Sequence, residues 1–326
     1  MHSLSSPESA IARLFLYRGN GENLRPLDEE FYKNLSPCLK MAAKLPSWLR
    51  QEFVDTRAKE LARRLRESGV NTVCQEAGCP NINGCFRQRK VTFLILGDTC
   101  SRSCRFCNVK KPADWFPGPG EDSAEPKRVS DCVRALGLDY VVITSVTRDD
   151  LADGGAAVFA QTVKLIRKIK AGIKIELLIP DFQGKASSLL SVLEAGPDVV
   201  GHNLETVPRL YPEVRPQADY RLSLAVLRKI KECAPQVTVK SSLMLGMGEA
   251  PAEVIAAMRD LRDCGCGILT LGQYLAPSAR HYPVKEFIAP GKFSDYRGIG
   301  ERLGFQAVLS APTARSSYQA EELYNA

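Results

Sequence analysis

From residue 91 onward the chain alternates between short apolar, β-branched runs and longer stretches of helical character. The runs are VTFLILG (91–97), YVVITSV (140–146), KIELLIP (174–180), DVVGHNL (198–204), TVKSSLMLG (238–246) and ILTLGQYL (268–275). Helix-like segments at 125–137, 154–171, 185–196, 219–233 and 251–264 separate them. A further apolar run, FQAVLS (305–310), follows a helix near 293–303. Strand–helix alternation means βα units and a parallel sheet. Strands that are apolar throughout belong to a sheet covered by helices. The pattern predicts an α/β fold, a partial or closed barrel of six βα units.

The polar residues gather at one end of this plan. DTCSRSCRFC follows the first run, TRDDLADGG the second and DFQG the third. The fourth runs into HNLET and the fifth into GMGE, while APSARH and APTARSSY follow the last two. All seven segments lie past the carboxyl ends of their strands, where β/α folds assemble active sites. That points to an enzyme rather than a binding scaffold.

Composition sets limits. A chain of 326 residues with 44% hydrophobic and 25% charged residues is globular, neither disordered nor fibrous. The net charge of +7 suits an acidic partner without demanding nucleic acid. No apolar run reaches the roughly 18–20 residues of a membrane span, so no membrane is expected. Residues 1–50 are irregular and lack the marks of a secretory signal, so they read as an N-terminal arm. In 51–69, Val54, Leu61 and Leu65 fall at helical spacing and Gly69 supplies the stop.

Six of the 11 cysteines lie within 74–107. Cys74, Cys79 and Cys85 form C-x4-C-x5-C; Cys100, Cys104 and Cys107 form C-x3-C-x2-C. The density is far below that of a disulfide scaffold, and clustering of this kind reads as metal or redox chemistry in a reducing compartment. Structural zinc takes four ligands, typically in paired knuckles, and neither triplet has a fourth cysteine nearby. A cubane iron–sulfur cluster on three thiolates leaves one iron open, the mark of a catalytic centre. A zinc-binding, non-catalytic protein is the alternative from the residues alone.

C-x3-C-x2-C directly after the first barrel strand, with Phe106 before the last cysteine, resembles the radical S-adenosylmethionine signature. The upstream triplet, with CPN at its second cysteine, resembles the auxiliary motif of the lipoyl synthase family. TSVTRDDLADGGA, LIPDFQG, HNLETVPRLYPEVRP, KSSLMLGMGE, LTLGQYLAPS and the terminal RSSY extend the resemblance over roughly 45–320.

The resemblance implies a partial (β/α)6 radical S-adenosylmethionine barrel at 91–310. An extension at 51–90 carries the auxiliary motif, an arm precedes it at 1–50, and a tail at 311–326 closes over it. It implies two 4Fe–4S clusters, one on Cys100, Cys104 and Cys107, the other on Cys74, Cys79, Cys85 and a serine of RSSY. That serine is Ser317, with Ser316 the second choice. S-adenosylmethionine, two per product, is expected near Arg148, Asp149, Gly154, Gly155, Asn203, Glu205, Gly246 and Glu249. The 5′-deoxyadenosyl radical that it yields takes hydrogen from an unactivated C–H bond, chemistry beyond any protein side chain. No side chain is expected to act as a catalytic acid or base.

The implied reaction inserts sulfur at C6 and C8 of an octanoyl chain on a carrier lysine, with the auxiliary cluster as sacrificial donor. Implied partners are octanoylated lipoyl carrier domains (the E2 subunits of 2-oxoacid dehydrogenases and the H protein of glycine cleavage). A ferredoxin or flavodoxin would donate electrons, an iron–sulfur carrier protein would resupply the cluster, and the location would be cytoplasmic. Thiolation of RNA is an alternative; such enzymes tend to carry a nucleic-acid-binding appendage, for which 311–326 is too short. Gly84 stands where the family usually has Glu, Arg105 where Pro is common, and APTA (311–314) where Gly-Pro-x-Val is usual. No expected cluster ligand is lost.

Overall fold

Eight strands form one sheet in sequence order among the residues that the computed structural model describes, 45–50, 56–112, 122–170 and 172–326. They are β1 (Asn71–Thr72), β2 (Thr92–Ile95), β3 (Tyr140–Ser145), β4 (Lys174–Leu178), β5 (Val199–Gly201), β6 (Thr238–Leu245), β7 (Ile268–Gln273) and β8 (Ala307–Ser310). β1 pairs antiparallel with β2, and every later neighbour is parallel. The six expected barrel strands are β2 to β7. The run at 305–310 adds a seventh parallel strand, and β1 is too short to have left a periodic signal.

The helices are α1 (Thr56–Glu67), α2 (Val73–Glu76), α3 (Ile82–Arg87), α4 (Glu125–Leu136), α5 (Ala156–Arg167), α6 (Ala186–Glu194), α7 (Tyr211–Val214), α8 (Tyr220–Cys233), α9 (Pro251–Asp263), α10 (Pro290–Arg302) and α11 (Ala320–Tyr324). Parallel strands in sequential order, joined by crossovers of the one usual hand, put the connecting helices on one face of a sheet. The helix periodicity shows in α8, which buries Ser223, Val226, Leu227 and Ile230 on one stripe. Asp219 caps it by accepting the Leu222 N–H at 2.7 Å. In α1 the buried residues are Ala58, Leu61 and Leu65; Val54 lies outside the described residues.

Register separates two faces of the sheet. Phe93, Ile143 and Leu177 stand side by side, as do Val200 and Val239, and Leu269 and Val308. All are buried in the apolar core. The alternate positions lie on the opposite face and include the polar residues Thr92, Thr144, Glu176, Lys240, Ser242 and Thr270. On this inner face the fully buried Lys240 ammonium meets Glu176 at 2.7 Å, and the Tyr140 hydroxyl donates to the other Glu176 oxygen at 2.7 Å. A packed β/α barrel fills this space with branched apolar side chains. Here it carries a buried ion pair.

The chain divides into two compact units, Met1–Arg50 and Gln51–Ala326. In the first, the described residues form a single turn of 3-10 helix, Ser47–Leu49. The rest of the expected N-terminal arm lies outside the described residues. No described helix is long and apolar enough to cross a membrane.

Candidate active site

The chain leaves β2 through a turn that its sequence does not favour. Leu96 takes φ 68° and Gly97 φ 85°; the left-handed region is strained for leucine. The buried Glu125 at the start of α4 holds it there, accepting the N–H groups of Leu96 (2.7 Å) and Gly97 (3.1 Å). Beyond the turn the loop closes on itself. The Cys100 N–H donates to the Lys110 carbonyl at 2.9 Å and the Cys107 N–H to the Cys104 carbonyl at 3.2 Å. Burial pushes the Cys104 and Cys107 thiols up. Arg215 and Lys111 oppose this at Cys104, and the neighbouring cysteines reinforce it. All three cysteines lie on this one loop beyond the carboxyl end of β2.

The ends of the neighbouring strands brace this loop. Arg102, inside it, donates two bonds to Asp149 (2.7 and 2.9 Å) and two to Asp181 (2.6 and 2.7 Å). Asp149, an expected cosubstrate contact, thus has both oxygens on a loop arginine. Arg148 is buried and bonds Asp150 at 2.7 Å. Gly154 and Gly155 both take positive φ. A Cβ on Gly155 would collide with the Leu96 side chain, and one on Gly154 would meet the Phe182 ring at 3.0 Å. These glycines let α5 start hard against β2. Glu249 closes its own loop, accepting the N–H groups of Gly246 (2.5 Å) and Met247 (2.9 Å). A Cβ on Gly246 would run into Gln273 and the Glu286 carbonyl.

Asn203 and Glu205, two residues apart in the segment that leaves the carboxyl end of β5, are expected contacts that bond each other; this end of the strands is the mouth of the site. The Asn203 amide donates to Glu205 at 3.0 Å. Glu205 is half-buried, and burial pushes its carboxyl up against the opposing pull of Arg215. Arg215 donates to the Asn203 and Leu204 carbonyls, and its Nε is buried without an acceptor. A buried donor left open beside Cys104 and Glu205 suits a site that takes an anionic group. His202, the one histidine in a motif, is a structural residue. Its Nδ1 bonds the Ile179 carbonyl, its Nε2 bonds Ser223, and burial lowers its pKa to about 4.

The second triplet lies at the other end of the strands. Because β1 runs antiparallel to β2, α2 begins beside the amino end of β2, and Thr72 caps it by accepting the Gln75 N–H at 3.2 Å. Cys74 sits on α2, Cys79 on the connecting turn and Cys85 on α3. They line a cavity of about 260 Å³ together with Tyr140, Arg315 and Ser317. Burial pushes the Cys74 thiol up to about 12 and Cys85 to about 11, and Cys79 adds to both. The three cysteines thus share one cavity.

The tail reaches the cavity by crossing the inner face of β7. The Gln273 N–H donates to the Pro312 carbonyl at 3.2 Å, and the Asn81 amide donates to the Thr313 carbonyl at 2.7 Å. A Cβ on Gly272 would collide with the Ala314 carbonyl, so only glycine admits the tail there. The Tyr318 N–H then closes a turn on the Arg315 carbonyl at 3.0 Å. The two central serines part ways: Ser317 lines the cysteine cavity, and the Ser316 hydroxyl donates to the Asn203 Oδ1 at 3.0 Å.

In chemistry, each set suits a cubane cluster: three cysteines on one loop, and three cysteines with Ser317 around one cavity. The thiolates of a cubane bind different irons and stand farther apart than ligands sharing one ion.

Residues 94–261 match the radical SAM superfamily model. Lipoyl synthase from Geobacter metallireducens is 51% identical over 275 residues, 84% of this chain and 95% of that protein. Lipoyl synthase from Caldanaerobacter subterraneus subsp. tengcongensis is 48% identical over 281 residues, 86% of this chain and 97% of that protein. The chain belongs to the lipoyl synthase family. Among solved structures, HydG, a maturase of the FeFe-hydrogenase, is similar at a TM-score of 0.53 with 14% identity. It covers 86% of this chain and 65% of its own, and this likeness shows the fold alone.

Within this lipoyl synthase family member, sequence reading missed four residues that build the site: Asn81, Arg102, Asp181 and Arg215. Each sits inside a quoted motif, but its partners are distant in sequence: Asp181 lies 79 residues from Arg102, and Thr313 lies 232 from Asn81. A charged side chain inside a cysteine loop was the one available signal, at Arg102.

Proposed function

We propose that the two cysteine sites act in one reaction, the radical-mediated insertion of two sulfur atoms into a protein-bound octanoyl chain, giving a lipoyl group. The lipoyl synthase activity follows from the family, as do two 4Fe–4S clusters and S-adenosylmethionine. The observation that carries the assignment of roles is Ser317 facing Cys74, Cys79 and Cys85, while the other triplet lies on the loop after β2. Cys100, Cys104 and Cys107 hold the radical cluster; Cys74, Cys79, Cys85 and Ser317 hold the auxiliary one. When bound, the clusters supply the electron that cleaves the cosubstrate and the sulfur that enters the product.

The chain's own residues do the rest. Glu125 and Arg102 fix the radical loop against the strand ends. Asn203, Glu205 and Arg215 offer the cosubstrate donors and acceptors at the mouth. Arg148, Gly154, Gly155 and the loop of Gly246 and Glu249 shape the wall around it; Asp149 steadies that wall through Arg102. The hydroxyl of Ser317 is a harder ligand than a thiolate and leaves a soft iron centre more readily, which suits a corner that must open when sulfur departs. The inner face of the sheet, which runs from one site to the other, walls the reacting carbon away from water.

The carrier is an octanoylated protein. We assign E2 subunits and the glycine cleavage H protein as its carriers, a ferredoxin or flavodoxin as electron donor, an iron–sulfur carrier protein for resupply and the cytoplasm as location. We divide the chain into an arm (1–50), a cluster-bearing extension (51–90), the barrel (91–310) and the tail (311–326).

The test is mass spectrometry of an octanoyl-lysyl peptide after anaerobic incubation with reconstituted protein, S-adenosylmethionine and a strong reductant. Two hydrogens replaced by two sulfurs, at no more than about one product per protein, is the expected result. 5′-Deoxyadenosine with an untouched octanoyl chain would remove the substrate assignment.

A further inference from the structure

Ser316 and Ser317 are the two central residues of one turn, and they face different sites. Ser317 lines the cavity of Cys74, Cys79 and Cys85. The Ser316 hydroxyl bonds Asn203 at 3.0 Å, and Asn203 in turn donates to Glu205 at 3.0 Å. The turn has little room to adjust. Upstream, Ala314 is fully buried with its carbonyl against Gly272, and Asn81 holds the Thr313 carbonyl. Downstream, the Tyr318 N–H bonds the Arg315 carbonyl.

Two neighbouring residues in a clamped turn cannot move independently. We propose that Ser316 is a positioning residue that couples the two sites: a cosubstrate that orders Asn203 and Glu205 also holds Ser316, and so holds Ser317 in place on the auxiliary cluster. When the cosubstrate is consumed and leaves, that hold relaxes and the serine corner is free to open. The coupling is a difference in the turn's stability between occupied and empty mouth, and it acts in both directions. The inference rests on the proposed assignment of the mouth to S-adenosylmethionine and of the cavity to the auxiliary cluster.

The experiment is hydrogen–deuterium exchange on the reconstituted full chain, with and without S-adenosylmethionine, read on peptides covering 315–318. Iron and sulfide are counted first. About eight of each per chain supports two clusters; about four would overturn the cavity assignment, and the coupling with it. Electron paramagnetic resonance of the reduced radical cluster, recorded with and without cosubstrate, verifies that the cosubstrate is bound in every variant.

Cosubstrate is expected to slow exchange in the turn about fivefold, the weight of one neutral hydrogen bond. Ser316→Thr, which keeps the hydroxyl, is expected to retain the slowing. Ser316→Ala is expected to lose it while keeping about eight irons. Equal slowing in Ser316→Ala, or no slowing in the natural chain with cosubstrate bound, overturns the coupling and leaves the two sites standing. Loss of about four irons in Ser316→Ala would make Ser316 itself the ligand and would overturn it too.

Discussion

The two cysteine sites are built on opposite plans. The loop after β2 supplies all three of its thiols within 100–107, and its bracing reaches it from the adjoining strand ends. The cavity at the amino ends of β2 and β3 is assembled from α2, α3 and a tail that arrives more than 200 residues later. The first site is a local object set on a rigid sheet. The second exists only when distant parts of the chain meet. The contrast suits the roles proposed for them, one cluster retained through turnover and the other consumed and rebuilt.

The largest effect expected from breaking this contrast is at the local site. Cys100→Ala should abolish 5′-deoxyadenosine formation, read by liquid chromatography, and lower iron by about half. Cys85→Ala should lower iron by a similar share yet leave 5′-deoxyadenosine formation in place, with no sulfur inserted. If both variants lost both readouts, the separation of the sites would be broken.

Next in size is Arg102→Gln, which leaves Asp181 buried without its cation. Removing one partner of a buried pair costs about 3–5 kcal/mol, so a fall of several degrees in Tm is expected. Asp181 adds an acid signature. Burial alone would raise its carboxyl pKa, but the Arg102 hydrogen bonds and charge outweigh burial and hold it below the ordinary range. Its contribution to stability is present above the unfolded value of about 3.9 and is lost as pH falls through the lower folded value. Thermal melts from pH 6 to pH 2 should show this acid loss in the natural chain and less of it in Arg102→Gln.

A smaller effect is expected from Asn81→Ala, which frees the Thr313 carbonyl. The loss is about 1 kcal/mol, and it should appear as faster loss of auxiliary iron to a chelator with 5′-deoxyadenosine formation unchanged. The smallest is Glu322→Gln. It removes an exposed pair with Lys90 on the tail, and a Tm change too small to resolve is expected, since such pairs contribute roughly 0–1 kcal/mol.

The same contrast explains what could be read in advance. The strands, their order of polar loops and the six cysteines follow from periodicity and spacing, which are local properties. The inner face was half visible: KIELLIP carries Glu176 and TVKSSLMLG carries Lys240 within an apolar run. Glu176 and Lys240 pair across β5, but nothing in either run names the other. The path of the tail was not visible at all. It depends on Gly272 lacking a side chain under the Ala314 carbonyl, and one glycine in a strand has many readings. The choice between Ser316 and Ser317 is likewise a matter of which way each faces within one turn, and spacing does not encode that.

The tail's late arrival has a consequence for synthesis. Thr313 is made 232 residues after Asn81. At about 5–20 residues per second, the first three cysteines leave the ribosome roughly tens of seconds before the strand of chain that walls them in. The nascent protein therefore passes through an interval in which these thiols stand in an open cup. A machinery that inserts iron and sulfide during translation would meet a site without its lid, while one that acts afterwards must wait for, or pry apart, the turn at 315–318.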